Sequence, residues 1–142
     1  MPVRHAEAVW NGSFREGSGT MAFGGGAFEG RYSAGSRFEE GDGTNPEELL
    51  GAAHAGCFSM AFTLGLNRAG YEPEQVRTTA DVHLERSDGG YKITRVDLKT
   101  RARVPGIDRE TFMQQAEAAK NGCPVSQLFQ GIEITLDAQL ES

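Results

Sequence analysis

The residue pattern predicts an α+β fold, with antiparallel sheets around a buried central helix. Three observations carry that expectation. From Leu49 to Asn67 the chain reads LLGAAHAGCFSMAFTLGLN, without one formally charged side chain. Apolar residues then fall on every helical face, so such a helix has no solvent side. Val76 to Arg86 and Ile132 to Leu140 alternate apolar with polar residues, as strands of antiparallel sheets with one wet face do. A second helix is signalled from Asp108 to Asn121, and the mixture of half-polar strands and helices gives the class.

The elements follow in chain order. Arg4 to Trp10 alternates weakly, through Ala6, Ala8 and Trp10. Thr20 to Phe23 and Ala27 to Ser33 are candidate strands around a Gly24-Gly25-Gly26 turn. Asn45 then offers an N-cap, Pro46 suits the first helical turn, and Glu47 and Glu48 favour the positive end of the helix dipole. In the strand from Val76, one face carries Val76, Thr78, Ala80, Val82 and Leu84. Ser87-Asp88-Gly89-Gly90 is a hairpin signal. Tyr91 to Val104 continues as a strand in which Ile93 is out of phase, so a bulge is expected near Thr94 or Arg95. Pro105-Gly106 ends it. Asp108 caps the second helix and Gly122 stops it. Cys123 and Pro124 occupy the cap and first position of another helical turn. Ile132 to Leu140 is the last strand.

The chain has 142 residues, the size of a single domain spanning 1–142. It carries 14 Lys and Arg against 20 Asp and Glu, a formal net charge of −6. Without a basic cluster to neutralise phosphates, nucleic-acid binding is not expected. Hydrophobic residues at 38% and charged residues at 24% exclude wholesale disorder. Two cysteines in a chain of this size fit a reducing cytoplasm better than an oxidising exterior. The start, Met1-Pro2-Val3-Arg4-His5, opens no apolar run, so no signal peptide is expected. The uncharged helix approaches the length of a membrane span, but Gly, His, Ser and Thr dilute it and no aromatic or basic flank follows. A monomer this small has little material to bury such a helix completely. A second subunit is the expected cover, and hence a homodimer.

The candidates for chemistry are few. Cys57 sits inside the apolar helix, one turn after His54 and ten residues after Glu47. Apolar burial raises a thiol pKa, so its bland reading is a small core residue. Cys123, at a helix N-cap, meets unpaired N–H groups that favour thiolate, and locally it is the more acidic thiol. If the two sulfurs meet, one can become a sulfenic acid and the other condense on it. A thiol in an apolar helix needs a cation to become a nucleophile. Arg37, Arg31 and Arg15 are the nearby candidates, and Glu47 could hold an arginine fork bidentately. His54, Cys57, Cys123 and His83 can be named as a metal set, but their spacings match no zinc pattern. No phosphate loop, GxSxG or zincin motif is present.

Several of these segments together resemble a known family. They are Arg37-Phe38-Glu39, Gly43-Thr44-Asn45-Pro46-Glu47-Glu48-Leu49, Gly51-Ala52-Ala53-His54-Ala55-Gly56-Cys57-Phe58-Ser59-Met60-Ala61, Val104-Pro105-Gly106-Ile107 and Asn121-Gly122-Cys123-Pro124-Val125-Ser126. They closely resemble the OsmC branch of the OsmC/Ohr family, the osmotically inducible and organic hydroperoxide resistance proteins, essentially from end to end. The resemblance implies an OsmC-like fold and an intertwined homodimer with active sites at the subunit interface. It implies a stress-defence peroxidase that reduces organic hydroperoxides, and hydrogen peroxide less well. The family's peroxidatic cysteine matches Cys57 and its resolving cysteine Cys123, joined by a redox-active disulfide. This reverses the local ranking of the two thiols. The family's arginine matches Arg37, with Arg31 as the alternative, and its carboxylate matches Glu47. Phe58, Met60 and His54 would line the substrate pocket. No cofactor or metal is implied, because sulfur carries the electrons. The reductant is a lipoyl-type dithiol, for which a lipoylated protein is a candidate partner. Two rival readings stay open: a metal-binding protein, and a dimer that binds an apolar ligand with structural thiols.

Overall fold

The computed structural model describes residues 1–141. The chain divides into two compact units, Met1–Leu49 and Leu50 to the C-terminus.

The first unit is an antiparallel meander of β1 (Ala6–Asn11), β2 (Ser18–Phe23) and β3 (Phe28–Tyr32), in the order β1-β2-β3. Gly24, Gly25 and Gly26 all adopt positive φ between β2 and β3, a conformation that glycine adopts without Cβ strain. A short helix the sequence did not signal, α1 (Ala34–Phe38), follows. Its start is a reciprocal box: Ser33 Oγ accepts from the Ser36 amide at 3.1 Å, and Ser36 Oγ accepts from the Ser33 amide at 2.8 Å. Ser36 Oγ also donates to the Thr44 carbonyl at 2.7 Å, and Asn45 Nδ2 to the Ser36 carbonyl at 3.0 Å. Gly43, at φ +116°, brings its backbone against the Arg31 carbonyl, where a Cβ would clash. These bonds aim the start of the long helix α2 (Pro46–Arg68). Asn45 caps it as expected, accepting from the Glu48 amide at 2.8 Å.

The second unit holds most of α2, a three-stranded sheet, and helices α3 (Arg109–Gly122) and α4 (Pro124–Leu128). β4 (Gln75–Ser87) and β5 (Gly90–Arg103) form the expected hairpin. Asp88 and Gly89 both take positive φ at its tip, as a two-residue primed turn requires. His83 pairs with Arg95 and Leu84 with Ile93, so Thr94 is the extra residue of the expected bulge. β6 (Glu133–Glu141) lies against the other edge of β5, but parallel to it. The antiparallel expectation thus holds for the hairpin and gives way at β6. The reason is the connection: α3 and α4 carry the chain across one face, and a crossover of that length delivers a parallel neighbour.

The core lies in this unit. Phe58, Phe62 and Leu66, four residues apart along α2, are wholly buried. They form one cluster with Val96, Leu98 and Ala102 of β5 and with Phe112, Ala116 and Ala119 of α3. Phe62 meets Phe112 edge-on at 5.3 Å between ring centroids. Ser59 Oγ donates to Thr78 Oγ1 at 2.8 Å and so finds a partner on β4. Length and composition alone would let α2 cross a membrane, and 28% of its apolar stretch is buried within the chain. The all-round burial expected of α2 is therefore absent from the single chain. Its inward stripe is covered, while Met60 and Leu64 face outward.

Candidate active site

The two thiols meet in the second unit. Cys57 lies midway along α2, and Cys123 stands between α3 and α4, closing one helix and capping the next. The Cys123-Pro124 pair works as its residue types predict. Cys123 Sγ accepts from the Ser126 amide at 3.4 Å, and Pro124 fills the first turn where no amide hydrogen is needed. The neighbouring amide of that turn, Val125, donates to Cys57 Sγ at 3.5 Å. Successive N–H groups at the start of α4 thus point at the two sulfurs. Both cysteines are free thiols, and Cys123 stands beside Cys57. Cys123 is fully buried and Cys57 partly so.

Burial pushes the Cys57 thiol above its usual range. The Val125 amide pulls it down, and Cys123 beside it pushes it up again. The Val125 amide is thus the influence in its own unit that favours the Cys57 thiolate, and a nearby cation would favour it further.

The first unit carries an ordered cation of its own. Arg37, in the last turn of α1, grips Glu47 with two parallel bonds, Nε to Oε1 at 3.0 Å and Nη2 to Oε2 at 2.9 Å. Glu47 is 10% exposed and Arg37 is 36% exposed, so the carboxylate is sheltered and the guanidinium keeps an open side. The planar fork is held in one orientation, as bidentate pairing dictates. Of the three arginines the sequence offers, Glu47 takes Arg37. Arg31 stands exposed on β3, and Arg15 is exposed between β1 and β2. The Arg37 guanidinium also lies 5.4 Å from the Phe38 ring centroid. Beside it opens a hollow of about 290 Å³ lined by Trp10, Phe14, Tyr32 and Phe38.

The residues expected to line the substrate pocket differ in burial. Phe58 is wholly buried core, Met60 is 78% exposed on another face of α2, and His54 is 0% exposed. The His54 ring stacks edge-on against Phe129 at 5.4 Å, and its Nε2 lies 2.8 Å from Ser126 Oγ. Burial lowers its pKa. Among the described residues no cluster of three or more His, Cys, Asp or Glu could hold a metal. His83, the fourth member of the metal set, lies on the sheet with its Nε2 2.7 Å from Asp97.

Ser126 belongs to a segment that carries the resemblance but has no role expected of it, and nothing in the sequence points to the aromatic hollow. Ser126, three residues beyond a capping cysteine, is where a capping partner is expected, so that signal was available. The aromatics are scattered over β1, β3, α1 and a loop, and no periodicity joins them.

Residues 39–137 match the family model described as OsmC-like protein. The chain is 49% identical over 140 residues to peroxiredoxin OsmC of Escherichia coli, covering 98% of this chain and 97% of that protein. It is 31% identical over 103 residues to an organic hydroperoxide resistance protein of Xanthomonas axonopodis, covering 68% of this chain and 67% of that one. Among solved structures, an organic hydroperoxide resistance protein from Elizabethkingia anophelis superimposes with a TM-score of 0.75 at 24% identity, covering 99% of both chains. That likeness establishes the fold.

Proposed function

The chain belongs to the OsmC-like family, and from that membership we propose that it is a thiol-dependent peroxidase that reduces organic hydroperoxides to alcohols, and hydrogen peroxide less well. The observation that carries the reading is the meeting of two reduced thiols, Cys57 and Cys123, at the first turn of α4.

Each step follows from a named group. The Cys57 thiolate attacks the distal peroxide oxygen. The O–O bond breaks, an alkoxide leaves and takes a proton, and Cys57 becomes a sulfenic acid. Arg37 supplies the positive charge that both the thiolate and the departing alkoxide require, and Glu47 keeps its fork from turning. Cys123 attacks the Cys57 sulfur, giving a disulfide and water. An external dithiol then restores both thiols by exchange, and a lipoylated protein in a reducing cytoplasm fits that part. The aromatic hollow beside Arg37 suits an organic tail, whose burial favours larger hydroperoxides over hydrogen peroxide.

The protein acts as a homodimer in this reading. The support is the apolar outer face of α2, with Met60 and Leu64 turned outward, a surface a second copy would cover.

Thiol counting tests the proposal. Reduced protein mixed with cumene hydroperoxide should lose two thiols per chain and release cumyl alcohol. Cys123→Ser should consume one equivalent and stop at the sulfenic acid, and Cys57→Ser should consume none. An unchanged thiol count in the wild-type protein would end the peroxidase reading.

A further inference from the structure

Two buried polar residues beside the thiols have no part in the cycle above. His54 is 0% exposed and Ser126 is 5% exposed. Their hydroxyl and ring join Cys123 in a short chain. The Cys123 S–H donates to Ser126 Oγ at 3.2 Å, and that oxygen lies 2.8 Å from His54 Nε2. Ser126 has one hydrogen to give. Its oxygen receives the thiol proton, and with the ring hydrogen on Nδ1 the hydroxyl can give its own to His54 Nε2. In that tautomer donation runs from thiol to hydroxyl to imidazole, and Nδ1 has no partner among the described residues.

We propose that Ser126 and His54 form a proton relay that draws the proton from Cys123 as it attacks the Cys57 sulfenic acid. The inference rests on the peroxidase reading and assigns its second chemical step. The proton passes from Cys123 Sγ to Ser126 Oγ while the serine hydrogen passes to His54 Nε2. The Cys123 thiolate so formed keeps the Ser126 amide at 3.4 Å and attacks the Cys57 sulfur. The S–S bond forms, the S–O bond breaks, and the leaving hydroxide becomes water with a proton from solvent, which reaches the partly exposed Cys57; His54 keeps the relayed proton until the disulfide is reduced and it returns through Ser126 to Cys123. Sulfenic acid plus thiol gives disulfide plus water, with no outside oxidant or reductant.

The geometry singles out this step. The relay ends on Cys123, whereas Cys57 touches the Val125 amide and Cys123. The titratable group bonded to the relay is the Cys123 thiol, with Cys57 beside it, and Phe129 covers the imidazole. Burial keeps that imidazole neutral, the form a base must have.

The test is a single turnover of the full-length protein with one equivalent of cumene hydroperoxide. Samples are quenched with a sulfenic-acid-trapping dicarbonyl and a thiol alkylator, then read by mass spectrometry, so that the oxidation and disulfide steps are timed separately. In Ser126→Ala and His54→Gln the disulfide step should fall relative to the oxidation step by about tenfold or more at neutral pH, the scale of a lost general base. Raising the pH should restore it, because hydroxide then makes the thiolate directly. Ser126→Thr, which keeps the hydroxyl, should stay near wild type. In the wild-type protein, where folding is not at issue, the disulfide step should slow about twofold in D2O, as expected when proton transfer accompanies bond formation. An unchanged disulfide rate in Ser126→Ala, an equal slowing of both steps, or no isotope effect in the wild-type protein would overturn the relay. A wild-type protein that forms neither sulfenic acid nor disulfide would instead overturn the peroxidase reading beneath it.

Discussion

The two compact units use their apolar residues in opposite ways. From Leu50 onward, twelve hydrophobic side chains are buried in one cluster built on α2, β5 and α3. In Met1–Leu49 the buried residues are Gly19, Ser36 and Glu47. Trp10, Phe14 and Phe28 are all exposed there, although Trp10 meets Tyr32 edge-on at 5.3 Å and Phe23 stacks on Phe28 at 5.0 Å. The larger unit has the close packing that holds two sulfurs together. The smaller one presents an oriented guanidinium beside aromatic rings. Stability therefore resides in the unit of the thiols, and the guanidinium we propose for the thiol chemistry belongs to a unit with little core of its own.

The sharpest way to probe that contrast is a pair of truncations. Phe112→Ala opens a cavity in the complete core and should cost about 3–5 kcal/mol of unfolding free energy. Phe28→Ala removes an exposed ring and should cost less than about 1 kcal/mol. Denaturant titration of both variants measures the difference. A large loss from Phe28→Ala, together with a midpoint that rises with protein concentration, would break the contrast and show that a second copy covers the meander.

A smaller effect separates structure from chemistry in the first unit. Arg37→Met should slow Cys57 oxidation by about 10- to 100-fold, through loss of charge stabilisation. It should change stability by no more than about 1 kcal/mol, because the guanidinium is partly in solvent. Stopped-flow oxidation and thermal unfolding report the two quantities. An unaltered oxidation rate would remove Arg37 from the site and return the question to Arg31.

The smallest effect belongs to His54. Burial lowers its pKa, so the unfolded chain takes up a proton more readily than the folded one. Its neutral form contributes stability above the unfolded value of about 6.5. That contribution is lost as the pH falls from there toward the folded pKa. Unfolding free energy measured across this window should decline on acidification, and His54→Gln should flatten the decline. A slope unchanged in that variant would place the acid sensitivity elsewhere.

Much of this was legible in the residues, because it is local. Asn45 and Cys123 cap helices through their own side chains, the alternation from Val76 marks a strand, and Asp88-Gly89 can make a primed turn. Thr94 was legible as a bulge because Ile93 breaks the phase. Local signals also placed Arg37 within reach of Glu47 as one of three choices, and chose none of them.

What needed the tertiary structure is the pairing of distant parts. Alternation states that Ile132 to Leu140 has two faces, but not which way the strand runs beside β5; the crossover through α3 and α4 decides that. Composition states that α2 is apolar, but only packing shows which stripe the chain covers. The resemblance linked Cys57 with Cys123, but their contact, and the bonds from Cys123 through Ser126 to His54, depend on where the first turn of α4 lands against the middle of α2. Propensity and capping act over a few residues, whereas sulfur chemistry depends on ångströms between residues far apart in the chain, and those distances are set by core packing.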